Sequence, residues 1–414
     1  MQDLDAGPPA SAVAPQDAAR TGPSAPAWPP MVPTEQIAVA TTVGAFRALK
    51  QRWIALTDAH ALPTHVFQQF GWIDQWLRYY SDSCRDGDLA IGTAERDGQL
   101  VLVMPLFIQR IAGVRCLKWA GDPVTQYGDI VVGETADPMR LISSVFDAVI
   151  SEARADVCFL QRVRSDSQIA PFLDHLGASV SDPNEAPFLD LTQFADFDAF
   201  IDSRFSRRKQ REHKRLRRRL DETGTVHIAH DLTGAQAGDV AADAIRLKRD
   251  WLAAKSLASK ALTDERSLAF MRGVAADETN TIATHVGALT SDGALAAAQI
   301  GFPYKRRLSL HVIVYDLQFQ RAAPGLAHLR AGITKAFEDG VQAIDLLAPT
   351  ADYKRDWATG AIPVADYTYA ATSKGRAFAA LYLKHLRPWL KKIAPRVPLA
   401  LRKMVRSTVA SVGF

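Results

Sequence analysis

The stretch from Leu308 to Glu338 holds the residues whose spacing best suits chemistry. Leu308 to Tyr315 is apolar and β-prone, Asp316 to Ala323 is polar and small, and Pro324-Gly325 opens a helix running to Glu338. Proline is tolerated in a first helical turn, where its missing N–H would have no intrahelical partner. The free N–H groups of that turn lie among the small residues Ala322, Ala323, Gly325 and Ala327, where a phosphate can approach the backbone, with Arg321 beside them as counter-charge. The same spacing also suits an ordinary strand-to-helix turn in which Pro-Gly only caps the helix. His311, inside the apolar strand, reads as a core histidine.

Charge is strongly segregated. The 414-residue chain carries a net +4, yet Arg204 to Arg219 holds ten Lys/Arg against one acid, and Tyr367 to Phe414 holds ten Lys/Arg and no acid, so the remainder is acidic. Two basic zones on an acidic protein imply something anionic gathered there: a phosphorylated cofactor, a nucleic acid or a lipid surface.

The elements that must position these residues recur twice. Residues 1–33, with eight Pro and eight Ala, form a tail that cannot bury enough surface to order itself. In 34–190, amphipathic helices precede a hairpin turning at Asp97-Gly98, a second hairpin at Ala112-Gly113, a strand Tyr127 to Val132, a helix over 137–154 and a strand Val157 to Val163. In 191–375, a basic helix (204–222) leads to a strand Val226 to His230, helices over 235–276 and a strand over 282–289. The turn Asp292-Gly293, strands Ala294 to Pro303 and Leu308 to Tyr315, the helix 324–338 and a strand Ala343 to Ala348 follow. Asp97 and Asp292, and Asp156 and Asp345, fall at nearly constant separation, which points to an internal duplication. The expected fold class is α/β with mixed sheets.

With 48% hydrophobic and 23% charged residues the chain has material for a sizeable core. Cys84, Cys116 and Cys158 are odd in number and far apart, which argues against a disulfide framework and a zinc site. Asp3 and Asp5 stand where a signal peptide needs positive charge, and no 18-residue apolar run occurs. A reducing, cytoplasmic location without metal is the expectation.

The run Tyr315-Asp316, Arg321 to Ala327, Asp345-Leu346-Leu347 and Tyr353-Lys354-Arg355-Asp356-Trp357, with Phe67-Gln68, Trp72 and Trp76 upstream, resembles the acetyltransferase-like proteins of the CelD (BcsL) group, a branch of the GNAT superfamily. The resemblance spans residues 35 to 375 and implies two GNAT-like lobes in tandem, as in Fem-type aminoacyl transferases. It implies acetyl-CoA as donor, seated between the splayed strands 308–315 and 343–348, with Arg321, Ala322, Ala323, Gly325, Leu326 and Ala327 at its pyrophosphate. The superfamily loop reads Q/R-x-x-G-x-G/A; here Ala322 fills the Gln/Arg position and Arg321 comes one residue early. An amine attacking a thioester must lose a proton, and the leaving thiolate must gain one. Tyr353 is the candidate acid, and Asp345, Asp316 and Asp352 the candidate bases.

Arg207, Arg211, Lys214 and Arg218 on the basic helix, with Lys354 and Trp357, are candidates for binding an acceptor such as a small molecule or envelope-polysaccharide precursor. The alternatives are a Fem-type transferase drawing on charged tRNA, a silent accessory of polysaccharide assembly, or a merely solvated helix. Apolar residues alternate with Lys and Arg over 377–406, which suits a helix capping the last strand or one lying on an anionic membrane surface at the inner face.

Overall fold

The computed structural model describes residues 35–80, 82, 87–255, 257, 259–279 and 281–386. The tail expected over 1–33, Cys84 and the basic segment beyond residue 386 lie outside the described residues. Among the described residues, thirteen strands form one mixed sheet: β1 (Gln36–Ala40), β2 (Leu89–Arg96), β3 (Gln99–Ile111), β4 (Val114–Trp119), β5 (Val131–Val132), β6 (Val157–Arg164), β7 (Ser179–Asp190), β8 (Val226–Ala229), β9 (His285–Ser291), β10 (Ala294–Tyr304), β11 (Arg307–Tyr315), β12 (Ala343–Asp345) and β13 (Gly360–Ala370). Their spatial order is β1-β2-β3-β4-β6-β13-β7-β12-β11-β10-β9-β8, with β5 on β3.

One design appears twice in that order. β1 to β4 form an antiparallel meander, and the helix Pro138–Glu152 then carries the chain to β6, which lies parallel to β4. β8 to β11 form a second meander, and the helix Pro324–Glu338 carries the chain to β12, parallel to β11. Four hairpins of this scheme turn on consecutive positive-φ residues: Asp97-Gly98 (53° and 77°), Ala112-Gly113 (49° and 78°), Asp292-Gly293 (47° and 81°) and Lys305-Arg306 (44° and 61°). Such turns match the strand twist, which is why Asp-Gly and Ala-Gly were legible as hairpins.

The two halves exchange their last strands. β13, from the second half, pairs with β6 of the first, while β7, from the first, pairs with β12 of the second, and β7 and β13 pair with each other. A cluster of aromatics also joins the halves: Phe67, Trp72 and Trp76 pack with Phe270, Phe302, Val312 and Val314. Each fully buried side chain of this size contributes roughly 1.5–3 kcal/mol.

Two expected strands are shorter than their apolar runs. Only Val131–Val132 pairs within Tyr127 to Val132, because the Asp129 carboxylate accepts from the backbone N–H groups of Ile130, Gln168 and Ile169 in place of a ladder. β12 stops at Asp345 rather than Ala348, where Asp345 Oδ1 accepts from Leu347 N and Leu347 takes a φ of +59°. At the C-terminus, Phe378 and Tyr382 stack at 4.8 Å and cover Ile111, Val114, Cys116 and Val157, so this part caps β4 and β6. Among the described residues, no helix is long and apolar enough to cross a membrane.

Candidate active site

β11 and β12 pair at three positions only, Arg307 with Ala343, Leu308 with Ile344 and Ser309 with Asp345. Beyond them β11 continues to Tyr315 without β12, so a gap opens between Leu310–Tyr315 and the chain after Asp345. β11 is also bulged. Val312 faces Ile300 and Leu310 faces Gly301, which leaves His311 as the extra residue. His311 Nε2 lies 2.9 Å from the Val124 carbonyl oxygen, and burial lowers its pKa to about 4, so it is neutral at physiological pH.

Two lysines reach this gap. Lys248, on the helix Gly234–Ala254, donates from Nζ to the Ile313 carbonyl at 3.0 Å. Lys354, on the helix Asp352–Trp357, donates to the carbonyls of Leu347 and Pro349 at 2.7 and 2.8 Å. Burial lowers Lys248 to about 8, and burial together with the positive charge of Lys248 lowers Lys354 to about 8. Neither makes an ion pair with a described residue. Lys354 was named from the sequence as an acceptor ligand; Lys248 was missed, its one local signal being a lysine set among apolar residues in Ile245-Arg-Leu-Lys248-Arg-Asp-Trp251.

The expected acids and bases do not converge. Asp345 is 0% exposed; Oδ1 accepts from Tyr127 Oη and Leu347 N, and Oδ2 from Arg164 Nη1 at 3.0 Å and Arg307 Nη2 at 2.7 Å. Both oxygens are thus engaged in joining β6, β11 and the Tyr127 loop, which leaves it no part as a base. Asp316 caps the 3-10 turn Leu317–Ala322 through Gln318 N at 2.8 Å and holds the Gln318 side chain. Asp352 is a solvent-exposed carboxylate paired with Arg355 at 3.5 Å. Tyr353 is 42% exposed as a residue, yet its hydroxyl lies under enough protein for burial to raise its pKa to about 12. Trp357, expected to face an acceptor, is instead 3% exposed: it stacks with His213 at 6.0 Å and meets Phe200 and Phe205. Its bulk holds the basic helix to the sheet.

At the turn before the helix Pro324–Glu338, Ala323 takes a φ of +49°, a conformation costly for a residue with a Cβ. Its carbonyl accepts from Leu326 N and Ala327 N, and Ala323 N donates to Gln320 O, so three of the N–H groups expected to be free are engaged locally. Gly325 sits against Tyr315, whose ring would lie 3.1 Å from an added Cβ. Ala322 is buried against Leu220 and Leu289, while Arg321 is exposed.

The basic helix, Arg207–Asp221, is capped by Ser206 and packs through His213, Leu216 and Leu220. Arg207, Arg211, Lys214 and Arg218 are exposed and share one face, being spaced by four, three and four residues. Between this helix and the helix Pro324–Glu338 runs a cleft of about 310 Å3, lined by His213, Lys214 and Arg217 on one side and Ala323, Leu326, Ala327 and Arg330 on the other. Lys214, read as an acceptor ligand, and the turn read as a donor ligand therefore share one wall-to-wall site. Among the described residues, no group of three His, Cys, Asp or Glu is arranged to hold a metal.

Residues 206–355 match the family model described as an acetyltransferase (GNAT) domain. No curated protein matches the chain. Among solved structures, FemX is similar with a TM-score of 0.54 at 11% identity, covering 80% of this chain and 98% of that one. A conserved protein of unknown function from Bacteroides thetaiotaomicron VPI-5482 is similar with a TM-score of 0.51 at 11% identity, covering 80% and 99%. At such identity the likeness concerns the fold, which here is mixed α/β with two halves of one strand order. Residues 206–355, which lie in the second of those halves, are thus similar to an acetyltransferase (GNAT) domain.

Proposed function

We propose that the protein transfers an acyl group, acetyl from acetyl-CoA, to an amine or hydroxyl of a small molecule or envelope-polysaccharide precursor, as a CelD/BcsL-type member of the superfamily. The observation that carries this reading is the parting of β11 and β12 after Ser309 and Asp345, with two lysines of lowered pKa at the gap. A thioester's extended arm needs an unpaired strand edge beside it, and Leu310–Tyr315 offers one. The lysines lack carboxylate partners among the described residues, a donor set that suits a polarised carbonyl and a leaving anion. Bound acyl-CoA would supply an activated acyl group and depart as a thiol.

The chain's own groups then divide the work. Lys248 Nζ and Lys354 Nζ, each near 8, can hold or release a proton close to neutral pH, so one can relieve the attacking amine of its proton while the other stays charged. Tyr353 Oη, raised to about 12, remains protonated and can donate. The carbonyls of Leu347 and Pro349 fix Lys354 in place. Asp345, with Arg164 and Arg307, holds the base of the gap rigid.

The test is calorimetric titration with acetyl-CoA, followed by thiol release in the presence of amine and hydroxyl acceptors. Binding with acceptor-dependent thiol release supports the proposal, and Tyr353→Phe should then lower kcat with KM for acetyl-CoA little changed. Absence of acetyl-CoA binding refutes it. The FemX-like fold favours a second reading, aminoacyl transfer from charged tRNA, which predicts binding of aminoacyl-tRNA in that case.

A further inference from the structure

We propose that the cleft between the basic helix and the helix Pro324–Glu338 seats the phosphorylated nucleotide end of the donor, so that the basic helix serves donor binding and not the acceptor. The inference rests on the acyl-CoA reading above and extends it to residues that the pattern of the pyrophosphate loop does not include.

Three observations carry it. The cleft is lined by three cations, Lys214, Arg217 and Arg330, and by no carboxylate. Arg217 has a partial counter-charge in Asp221 at 2.9 Å, but Lys214 and Arg330 make no ion pair with a described residue. Second, His213 is 6% exposed and lines the cleft; its Nδ1 faces Arg330 Nη1 at 3.3 Å, and Nε2 has no described partner. Burial, followed by the charge of Arg330, lowers its pKa to about 4, so the imidazole is neutral, accepts from Arg330 at Nδ1 and offers an N–H at Nε2. That N–H, at the cleft wall, is available to a ligand acceptor. Third, the cleft begins at Ala323, Leu326 and Ala327, at the start of the helix that follows the splayed strand. The N–H groups of that turn are largely engaged by Ala323 O and Gln320 O. Phosphate oxygens placed there need other donors, and the facing wall provides them.

Size agrees. About 310 Å3 lies at the small end of the roughly 300–1,000 Å3 range of ligand pockets, enough for part of a cofactor and not for a whole one. Arg330 is held for this task by its position over the Phe197 ring, 5.0 Å from the centroid.

The experiment compares two double variants of the full chain by calorimetry with CoA. Lys214→Ala/Arg217→Ala removes two exposed cations from the cleft wall. Arg208→Ala/Arg219→Ala removes two exposed cations from the other flank of the same helix, an identical change of net charge. The first variant loses two charge-assisted hydrogen bonds and should weaken CoA at least tenfold. The second should change it less than twofold. Equal affinities for wild type and both variants would overturn the inference and leave acyl-CoA as donor standing. Equal weakening by both variants would also overturn it, reducing the helix to a diffuse field. Wild-type protein that binds no CoA would overturn both this inference and the acyl-CoA reading.

Discussion

His328 is the most sensitive probe of how this core was assembled. It is 0% exposed on the sheet-facing side of the helix Pro324–Glu338, and neither ring nitrogen has a hydrogen-bond partner. It packs directly on Gly287, where an added Cβ would lie 2.8 Å from Nε2, and its ring is 5.9 Å from that of His230. Burial, then the neighbouring charges of His230 and His285, lowers its pKa to about 3. Free histidine titrates near 6.5, so between about pH 6.5 and 3 the unfolded chain binds a proton that the folded chain refuses. Stability from this residue is therefore complete above 6.5 and falls as pH drops through that window. At pH 5 the loss is 1.36 kcal/mol for each of about 1.5 pH units, roughly 2 kcal/mol. His328→Leu keeps similar bulk, removes the titration and removes two unsatisfied nitrogens. Urea unfolding at pH 7 should show the variant at least as stable as wild type, and at pH 5 its advantage should grow by about 2 kcal/mol. His311 and His213, both near 4, titrate in each protein and cancel in the comparison. Glu35 and Asp231, held near 2 by their hydrogen bonds to Arg96 and His285, stay ionised throughout. Parallel losses in the two proteins between pH 7 and 5 would show that His328 is not the neutral, enclosed group described above.

Asp345→Asn leaves Arg164 and Arg307 without their shared carboxylate in a buried site, which should cost about 3–5 kcal/mol in chemical denaturation; a variant within 0.5 kcal/mol of wild type would refute the network's role. Lys248→Met should raise the pKa of Lys354, because the repulsion of a neighbouring ammonium is gone; NMR of 13C-methylated lysines reads this directly, and an unmoved Lys354 resonance would separate the two groups. Gly375→Ala would drive a Cβ into the Asp156 carbonyl oxygen and lift the short helix that covers Cys116, at a cost of roughly 1–3 kcal/mol. Faster alkylation of Cys116 at native pH is the expected readout, and unchanged labelling would place the cover elsewhere.

The repeated hairpins, the strand-helix-strand order and the basic helix were legible because each rests on local chemistry: positive-φ turn residues, an apolar strand followed by Pro-Gly, and a run of helix-forming Arg and Lys. β7 and β13 were not legible. Pro183, Pro187 and Pro363 and the polar stretch Ser179 to Glu185 carry no strand signal, since much of β7 is exposed and shows no apolar alternation. Both strands are specified by their partners in the other half, information that no local window holds. The site followed the same division. The strand that splays and the turn after it could be read from spacing, but the engagement of Asp345 depends on Tyr127 and Arg164, more than 180 residues away in the chain. Trp357 looked like a ligand-facing aromatic because burial against Phe200, Phe205 and His213 is a tertiary fact.

The exchange of β7 and β13 imposes an order of events during synthesis. The outer edge of β6 is complete at Arg164, yet the strand that covers it ends at Ala370. With ribosomes adding roughly 5–20 residues per second, that edge waits roughly 10–40 s before its partner emerges. An uncovered strand edge is a template for pairing with another chain, and nascent chains on one message sit side by side. Expression at lower temperature lengthens the wait, whereas supplying 360–370 early, by circular permutation that places it ahead of residue 35, removes it. Yield of soluble protein from such a permutant measures how much of the chain's folding hazard lies in that interval.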